Sequence, residues 1–406
     1  MGTTDVADGN GNTPLPLWLD CDPGHDDALA IILAGYNPKV DLIGISTVAG
    51  NQSLDKVTDN ALRVLSSSGL DRHCHIPVVA GQNKPLMRPP LHCPQIHGES
   101  GLDGPYGGPV LPPSSRTATP GKAVLIMFDA IQKRYKSDIG GSNKRKVQLV
   151  ATGALTNVAL LLILFSEVID MIEIVLMGGA LGIGNTGPVV EFNIQTDPEA
   201  ARVVFESGAQ VTMVPLEVTH TALATPEVLE RIHNIHPGGH PFLELIAALL
   251  LFFAETYKRV FKFEHPPLHD PCAVAYVIAP ELFTVEKLRV DIETQSELSA
   301  GQTVVDLWGS SGKSPNANVC MHLNVDKFWD LMIDAIESAA SASTLETKVV
   351  VAKGPVQVVR PPSSSSGASE MAKGEAVMEE MDIPNERYLE GCGDEEDVLE
   401  DINGVV

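Results

Sequence analysis

Hydrophobic positions along this chain alternate between short apolar runs and longer segments of helical period. The runs at 15–19, 40–48, 76–80, 147–151, 173–177 and 211–215 are rich in Val, Ile and Leu and bounded by turn residues, which predicts strands. Between them, 26–34, 54–67, 122–134 and 157–165 place apolar side chains at helical spacing. Strand–helix alternation of this kind predicts an α/β fold with an open, mainly parallel sheet covered by helices on both faces. In such sheets ligands bind beyond the carboxyl ends of the strands, so chemistry is expected just after each apolar run.

A long apolar helix is predicted over 240–263, and another begins near Pro271. Three strand-like runs follow at 287–292, 303–307 and 318–323, then a helix over 326–341. The pattern therefore predicts one domain over 15–341, with a flexible amino-terminal segment 1–14 and a tail 342–406. Stretch 348–359 is apolar enough to dock, 361–367 is a Ser/Pro linker and 370–401 is acidic, a composition that favours disorder. Loops 92–115 and 138–146 are long and rich in Gly, Pro or Ser, as active-site lids often are.

Charge narrows the function. The net charge of −24 excludes a phosphate-tracking surface, so no nucleic-acid partner is expected. The first fifteen residues lack a basic region followed by an apolar stretch, so no signal peptide is expected. The longest apolar runs, 158–165 and 245–254, fall short of the ~20 residues of a membrane span. Six scattered cysteines without a CxxC pair read as reduced thiols in a cytoplasmic protein, which leaves the sequon at Asn51 unmodified.

The densest chemistry lies in Asp20-Cys21-Asp22-Pro23-Gly24-His25-Asp26-Asp27. Four carboxylates crowd a strand end and a helix start, and like charges so close call for a cation. Hard oxygen ligands select Ca²⁺ or Mg²⁺ over zinc. Pro23-Gly24 supplies a sharp turn, and the helix start is expected to keep Asp26 and Asp27 ionised. The alternative is a solvated acidic turn with an Asp cap. An EF-hand is excluded because Ile31 stands where the loop's last Glu belongs. An aspartyl-phosphatase signature fails at Gly24, where it needs Thr or Val.

This Asp20-x-Asp22-Pro-Gly-x-Asp26-Asp27 motif resembles the signature of the inosine–uridine-preferring nucleoside hydrolase family. The resemblance continues in order through Val48-Ala49-Gly50-Asn51, Ile96-His97-Gly98-Glu99-Ser100-Gly101 and Ala151-Thr152-Gly153-Ala154-Leu155-Thr156-Asn157. It extends through Leu176-Met177-Gly178-Gly179, Glu191-Phe192-Asn193 and His269-Asp270-Pro271, spanning roughly 16–341. It implies a Rossmann-like nucleoside hydrolase fold, and Ca²⁺-dependent hydrolysis of purine and pyrimidine ribonucleosides, uridine and inosine foremost, in nucleoside salvage. It also implies a homodimer or homotetramer. Asp22, Asp27, the carbonyl of Thr152 and Asp270 match the metal ligands, and Asp22 matches the group that takes the proton from the attacking water. Asp26 and Asn51 match contacts near the ribose 2′-hydroxyl. Asn185, Glu191 and Asn193 match the grip on the ribose hydroxyls. His269 matches the proton donor to the departing base, with His97 and Tyr257 on the substrate side and Asp20 supporting from behind.

Those residue types suit the reaction. Cleaving the N-glycosidic bond leaves an oxocarbenium-like sugar, which negative groups stabilise more than they stabilise the ground state. The departing base needs a proton, and histidine can supply one near neutral pH. Two rival classes are a non-catalytic calcium or ribose-binding relative and a metal-dependent phosphohydrolase. No basic phosphate clamp accompanies the motifs, which counts against the second.

Other motifs fail their context. Gly182-Ile183-Gly184-Asn185-Thr186-Gly187 fits GxGxxG but runs into Pro188-Val189-Val190, not a helix, so it reads as a flexible loop that positions Asn185. Gly309–Ser314 resembles a phosphate loop, yet Leu307 replaces its first Gly. His73-Cys74-His75 offers adjacent residues with poor tetrahedral geometry for zinc and reads as an exposed loop. Glu217-Val218-Thr219-His220 departs from the family, in which Asp is common at the first position, and is assigned no role. Tyr257 is open between the apolar core and the base side, whereas Phe252, Phe253 and Phe261 read as core.

Overall fold

The computed structural model describes residues 13–73, 76–137 and 145–345. Segments 1–12 and 138–144, Cys74 and His75, and everything from 346 onward lie outside the described residues, so the tail beyond 345, its apolar stretch and two of the three residues of the His-Cys-His triplet do too.

Nine strands form one sheet among the described residues: β1 Leu15–Cys21, β2 Val40–Thr47, β3 Val78–Ala80, β4 Val147–Ala151, β5 Ile172–Met177, β6 Val211–Val214, β7 Phe283–Ile292, β8 Thr303–Asp306 and β9 Ala317–Leu323. Their order is β3-β2-β1-β4-β5-β6-β9-β7-β8. Every pairing from β3 to β9 is parallel, and β7 runs antiparallel to both β9 and β8. The expected mainly parallel α/β sheet is the one observed.

Both faces of the sheet are covered. Leu17, Leu19 and Cys21 of β1 point into a core with helices His25–Tyr36, Leu54–Ser68, Pro241–Phe261, Asp270–Ile278 and Val325–Ala342, whereas Trp18 points into a second core with Ala123–Ser137, Thr156–Leu164 and Pro198–Glu206. Double burial explains why the strands read as continuous apolar runs. From β1 the chain steps to β2 and β3 on one side, then returns to β4, β5 and β6 on the other. The connections thus diverge at the carboxyl ends of β1 and β4, the place where such sheets bind ligands.

Several helical turns of four or five residues are absent from the sequence expectation, as are two nine-residue helices, Pro198–Glu206 and Pro226–Asn234. Each begins with Pro at its first position, after Asp197 and Thr225 respectively, and the Asp197 side chain accepts Ala200 N at 3.1 Å. Strand β7 begins at Phe283, earlier than its predicted start at 287. The predicted 240–263 helix is Pro241–Phe261, and it ends where Lys262 turns left-handed at φ 63°. Among the described residues no helix is long and apolar enough to cross a membrane. Four of the described cysteines, Cys21, Cys93, Cys272 and Cys320, are free and buried.

Candidate active site

Asp22-Pro23-Gly24 forms the corner between β1 and helix His25–Tyr36, at the point where the chain connections diverge. Asp27, in the first helical turn, ties that corner to its surroundings. Its Oδ1 accepts Asp22 N at 3.3 Å and Thr152 Oγ1 at 2.8 Å. Its Oδ2 accepts Gly24 N at 3.0 Å and Asn51 Nδ2 at 3.2 Å. One carboxylate thereby joins the loops after β1, β2 and β4.

Asp22 sits between two glycines that could carry no side chain. A Cβ on Gly50 would fall 2.2 Å from its Oδ2, and one on Gly153 would fall 2.5 Å from its Oδ1. Asn51 N donates to Oδ2 at 2.7 Å, while Oδ1 is buried without a hydrogen-bond partner. Asp20 is fixed behind it: its Oδ1 accepts from Ser46 Oγ and from Asn157 Nδ2, the latter at 2.8 Å.

The fourth aspartate at the centre comes from far along the chain. Asp270 opens helix Asp270–Ile278, and carboxylate oxygens of Asp26, Asp27 and Asp270 all lie within 4.8 Å of one another. That compact triad contains Asp26 where the family resemblance puts Asp22 among the ligands. Burial raises the pKa of Asp22, Asp26, Asp27 and Asp270, with mutual repulsion adding at Asp22, Asp26 and Asp270. Asp26 is pushed up to about 7. Without a cation, desolvation opposes the field of the helix end expected to keep Asp26 and Asp27 ionised, and both carboxyls are raised. A cation reverses that balance. The crowded carboxylates of Asp26, Asp27 and Asp270 offer an all-oxygen donor set that suits a hard divalent ion.

Above the carboxylates lies a cavity of about 350 Å³, within the range of small-molecule sites. Asp26, Asn51, His97, Thr152, Asn185, Glu191, Asn193, Tyr257, His269 and Asp270 all contribute to its wall, while Asp20, Asp22 and Asp27 lie fully buried behind it. On one side, Asn193 Nδ2 donates to the carbonyls of Thr152 at 2.8 Å and Met177 at 3.1 Å. Glu191 accepts three backbone amides, from Gly179 at 2.9 Å, Asn193 at 2.8 Å and Ile194 at 3.1 Å, yet burial still pushes it up to about 7. Asn185 Oδ1 accepts Phe192 N at 3.0 Å. The GxGxxG stretch is a loop, as expected, and backbone bonds such as Asn185 N to Val190 O at 3.0 Å tie it down.

The opposite side is aromatic. His269 is engaged at both ring nitrogens: Nδ1 lies 2.7 Å from Thr219 Oγ1 and Nε2 lies 2.6 Å from the Tyr257 hydroxyl. Burial holds the imidazole well below the ordinary histidine range and the Tyr257 phenol well above the tyrosine range, so both are neutral near pH 7. Tyr257 is thus both core and pocket wall. His97 comes from the short helix Pro94–His97 inside loop 92–115, and its Nδ1 lies 3.2 Å from His25 Nδ1. The His25 ring stacks on Phe252, Phe253 and His97, so it is a packed support. Glu217 and Thr219 lie in the Glu217-Val218-Thr219-His220 stretch, to which the sequence alone assigns no role. Glu217 accepts Leu181 N and Gly182 N at 2.9 and 3.0 Å, at the root of the loop that carries Asn185.

Residues 17–330 match the family model described as inosine-uridine preferring nucleoside hydrolase. The chain belongs to this family. A probable ribonucleoside hydrolase of Dictyostelium discoideum is 49% identical over 328 residues, covering 80% of this chain and 95% of that protein. An inosine-uridine preferring nucleoside hydrolase of Leishmania major is 43% identical over 329 residues, 80% of this chain and 98% of that protein. Among solved structures, a purine-preferring ribonucleoside hydrolase from Gardnerella vaginalis superposes with a TM-score of 0.71 at 30% identity, covering 81% of this chain and all of that one. The nucleoside hydrolase fold expected from the sequence is the fold shared with these relatives.

Proposed function

We propose that the chain hydrolyses purine and pyrimidine ribonucleosides, inosine and uridine among them, to free base and ribose, with Ca²⁺ as its resident ion. The observation that carries the reading is the placement of a buried carboxylate cluster under one cavity whose opposite wall holds neutral hydrogen-bonded donors. Asp22, Asp27, Asp270 and the Thr152 carbonyl would hold the ion, and Asp26 faces the cavity beside them. Their number and their oxygen chemistry favour Ca²⁺, which accepts many oxygen ligands, over Mg²⁺. When bound, the ion supplies Lewis acidity toward water and sugar hydroxyls.

The chain's own groups do the rest. The unpartnered Asp22 Oδ1 receives the proton of the attacking water. Asp26, Asn51, Glu191 and Asn193 face the sugar hydroxyls, so ribose is oriented for attack at C1′, and the negative groups beneath it stabilise the cationic transition state. On the base side, Nε2 of His269 is already met by Tyr257. The donor facing the departing base is therefore the Tyr257 hydroxyl; the His269 Nε2–H behind it hydrogen-bonds the phenolate left by that transfer, and solvent returns the proton when the base leaves. His97 closes the same side. A substrate that carries a phosphate would meet Glu191 and the aspartates without a basic partner among these wall residues, which disfavours a phosphohydrolase.

Incubation of the purified full chain with inosine or uridine, with Ca²⁺ and with chelator, tests the reading. Release of reducing ribose that depends on Ca²⁺ supports it. Binding without ribose release would identify a non-catalytic relative, and phosphate release from nucleotides would identify the rival chemistry.

A further inference from the structure

The turn that follows β6, Leu216–Thr219, reaches both halves of the cavity wall. On the sugar side, the Glu217 carboxylate accepts Leu181 N at 2.9 Å and Gly182 N at 3.0 Å. These amides begin the loop that ends at Glu191 and carries Asn185. On the base side, two residues later, Thr219 Oγ1 lies 2.7 Å from His269 Nδ1. Thr219 is fully buried, and the alternative acceptor for its hydroxyl is Leu216 O, at a longer 3.4 Å.

We propose that this single turn is a two-sided positioning element, with Glu217 holding the sugar-gripping loop in register and Thr219 setting the proton polarity of the His269–Tyr257 pair. The inference rests on the nucleoside hydrolase reading of the site.

Donor direction decides the role of Thr219. For Tyr257 to point its proton into the cavity, its oxygen must accept from His269 Nε2–H. A neutral imidazole carries one proton, so Nδ1 must then accept, and the Thr219 hydroxyl is the donor that meets it. Reversal of Thr219 toward Leu216 O would place the ring proton on Nδ1, turn the Tyr257 hydroxyl toward Nε2 and silence the donor that faces the base. The 2.7 Å contact fits either direction, but Leu216 O at 3.4 Å is a poor acceptor for the hydroxyl proton, so Nδ1 is the better acceptor and the productive direction is favoured.

Glu217 acts through geometry alone. The residues after β5 leave the sheet at Gly178, and the segment 180–182 is held at four backbone groups: Ala180 N donates to Thr303 Oγ1 at 2.9 Å, Thr303 Oγ1 donates back to Ala180 O at 2.6 Å, and Glu217 takes the next two amides. Loss of the Glu217 contacts frees the loop root between the Thr303 clasp and Asn185, which loosens the sugar grip without touching the base side.

Kinetic parameter and leaving group separate the two arms. Inosine needs its base protonated, whereas p-nitrophenyl riboside departs without a proton. Glu217→Ala is expected to raise KM about tenfold on both substrates while kcat changes less than about threefold, a loss of one charge-assisted contact by free-energy equivalence. Glu217→Gln, which keeps one acceptor oxygen, restores most of the KM. Thr219→Val, nearly the same shape, is expected to lower kcat on inosine at least about tenfold and to leave p-nitrophenyl riboside within about twofold; Thr219→Ser restores inosine turnover. Equal loss on both substrates with Thr219→Val, or no change in any parameter for either residue, overturns the inference, and the Gln and Ser variants keep it falsifiable where Ala or Val fails to fold. Wild-type chain that releases no ribose from either compound overturns the underlying reading, and the inference with it. Active wild type lacking the KM and leaving-group split overturns the inference alone.

Discussion

Replacement of Asp27 by Asn offers a direct measure of how metal and fold are coupled. The native carboxylate accepts four hydrogen bonds, two on each oxygen, from Asp22 N, Thr152 Oγ1, Gly24 N and Asn51 Nδ2. An amide of the same shape keeps one oxygen, so two donors lose their acceptor at a cost of about 1–3 kcal/mol each. The same change removes one of several buried, mutually repelling carboxylates, a relief of similar size and opposite sign in the metal-free protein. In chelator the two effects offset each other, and the melting temperature should move by only about 2–3 °C. With Ca²⁺ at a hundredfold excess over its dissociation constant, the native chain gains about 2.7 kcal/mol of linkage stabilisation, or roughly 5 °C for a domain of this size. Asp27→Asn should erase that increment. Scanning calorimetry of both chains, with Ca²⁺ and with EDTA, reads the four values. A variant that retains the full Ca²⁺-dependent rise would show that Asp27 is not a ligand, and the metal site would have to be redrawn.

Other outcomes follow from the wall of the cavity. His269→Ala should lower inosine turnover by about 10²–10⁴-fold while leaving p-nitrophenyl riboside within severalfold, read by steady-state kinetics. With Asp26, Asn51 and Asn193 lining the cavity, the proposed ribose contacts lead us to expect that 2′-deoxyuridine falls at least about a hundredfold below uridine in kcat/KM, because the polar groups meant for the missing hydroxyl are left unpaired. Phe253→Ala should destabilise the fold by about 3–5 kcal/mol in urea denaturation, since the ring is 1% exposed and packs on His25, His97 and Tyr257.

Much of this architecture is legible in the chain because its local signals agree with its global ones. Strands β1, β4, β5 and β6 are buried on both faces along nearly their whole length, so each appears as a largely apolar run followed by a turn or helix start. The aspartate motif is legible because strand end, Pro-Gly corner and helix start fall within eight residues. Helices Pro198–Glu206 and Pro226–Asn234 are harder to see although Asp197-Pro198 and Thr225-Pro226 are start signals; both helices are short, and the apolar runs beside them signal strands more strongly. Asp270 can be paired with Asp27 only through the family resemblance, because nothing local says that a helix start some two hundred residues away points at the same place. The stretch that holds Glu217 and Thr219 is visible in the sequence but its role is not, for the same reason: their partners, His269 and the amides of Leu181 and Gly182, are set by tertiary contact and leave no spacing to read.

The geometry also explains why stability and chemistry are joined at this point of the fold. Helices His25–Tyr36 and Asp270–Ile278 both begin at the same cluster, each bringing carboxylates in its first turn. Helix ends favour negative charge, yet at these residues burial wins and raises the pKa values. The free cluster is therefore an electrostatic strain held in place by the surrounding hydrogen bonds and by the glycines that flank Asp22. A divalent ion held by those carboxylates would cancel it. Any substitution that relieves the repulsion, as Asp27→Asn does, must then weaken the ion's hold, and a more stable free protein would be a poorer enzyme.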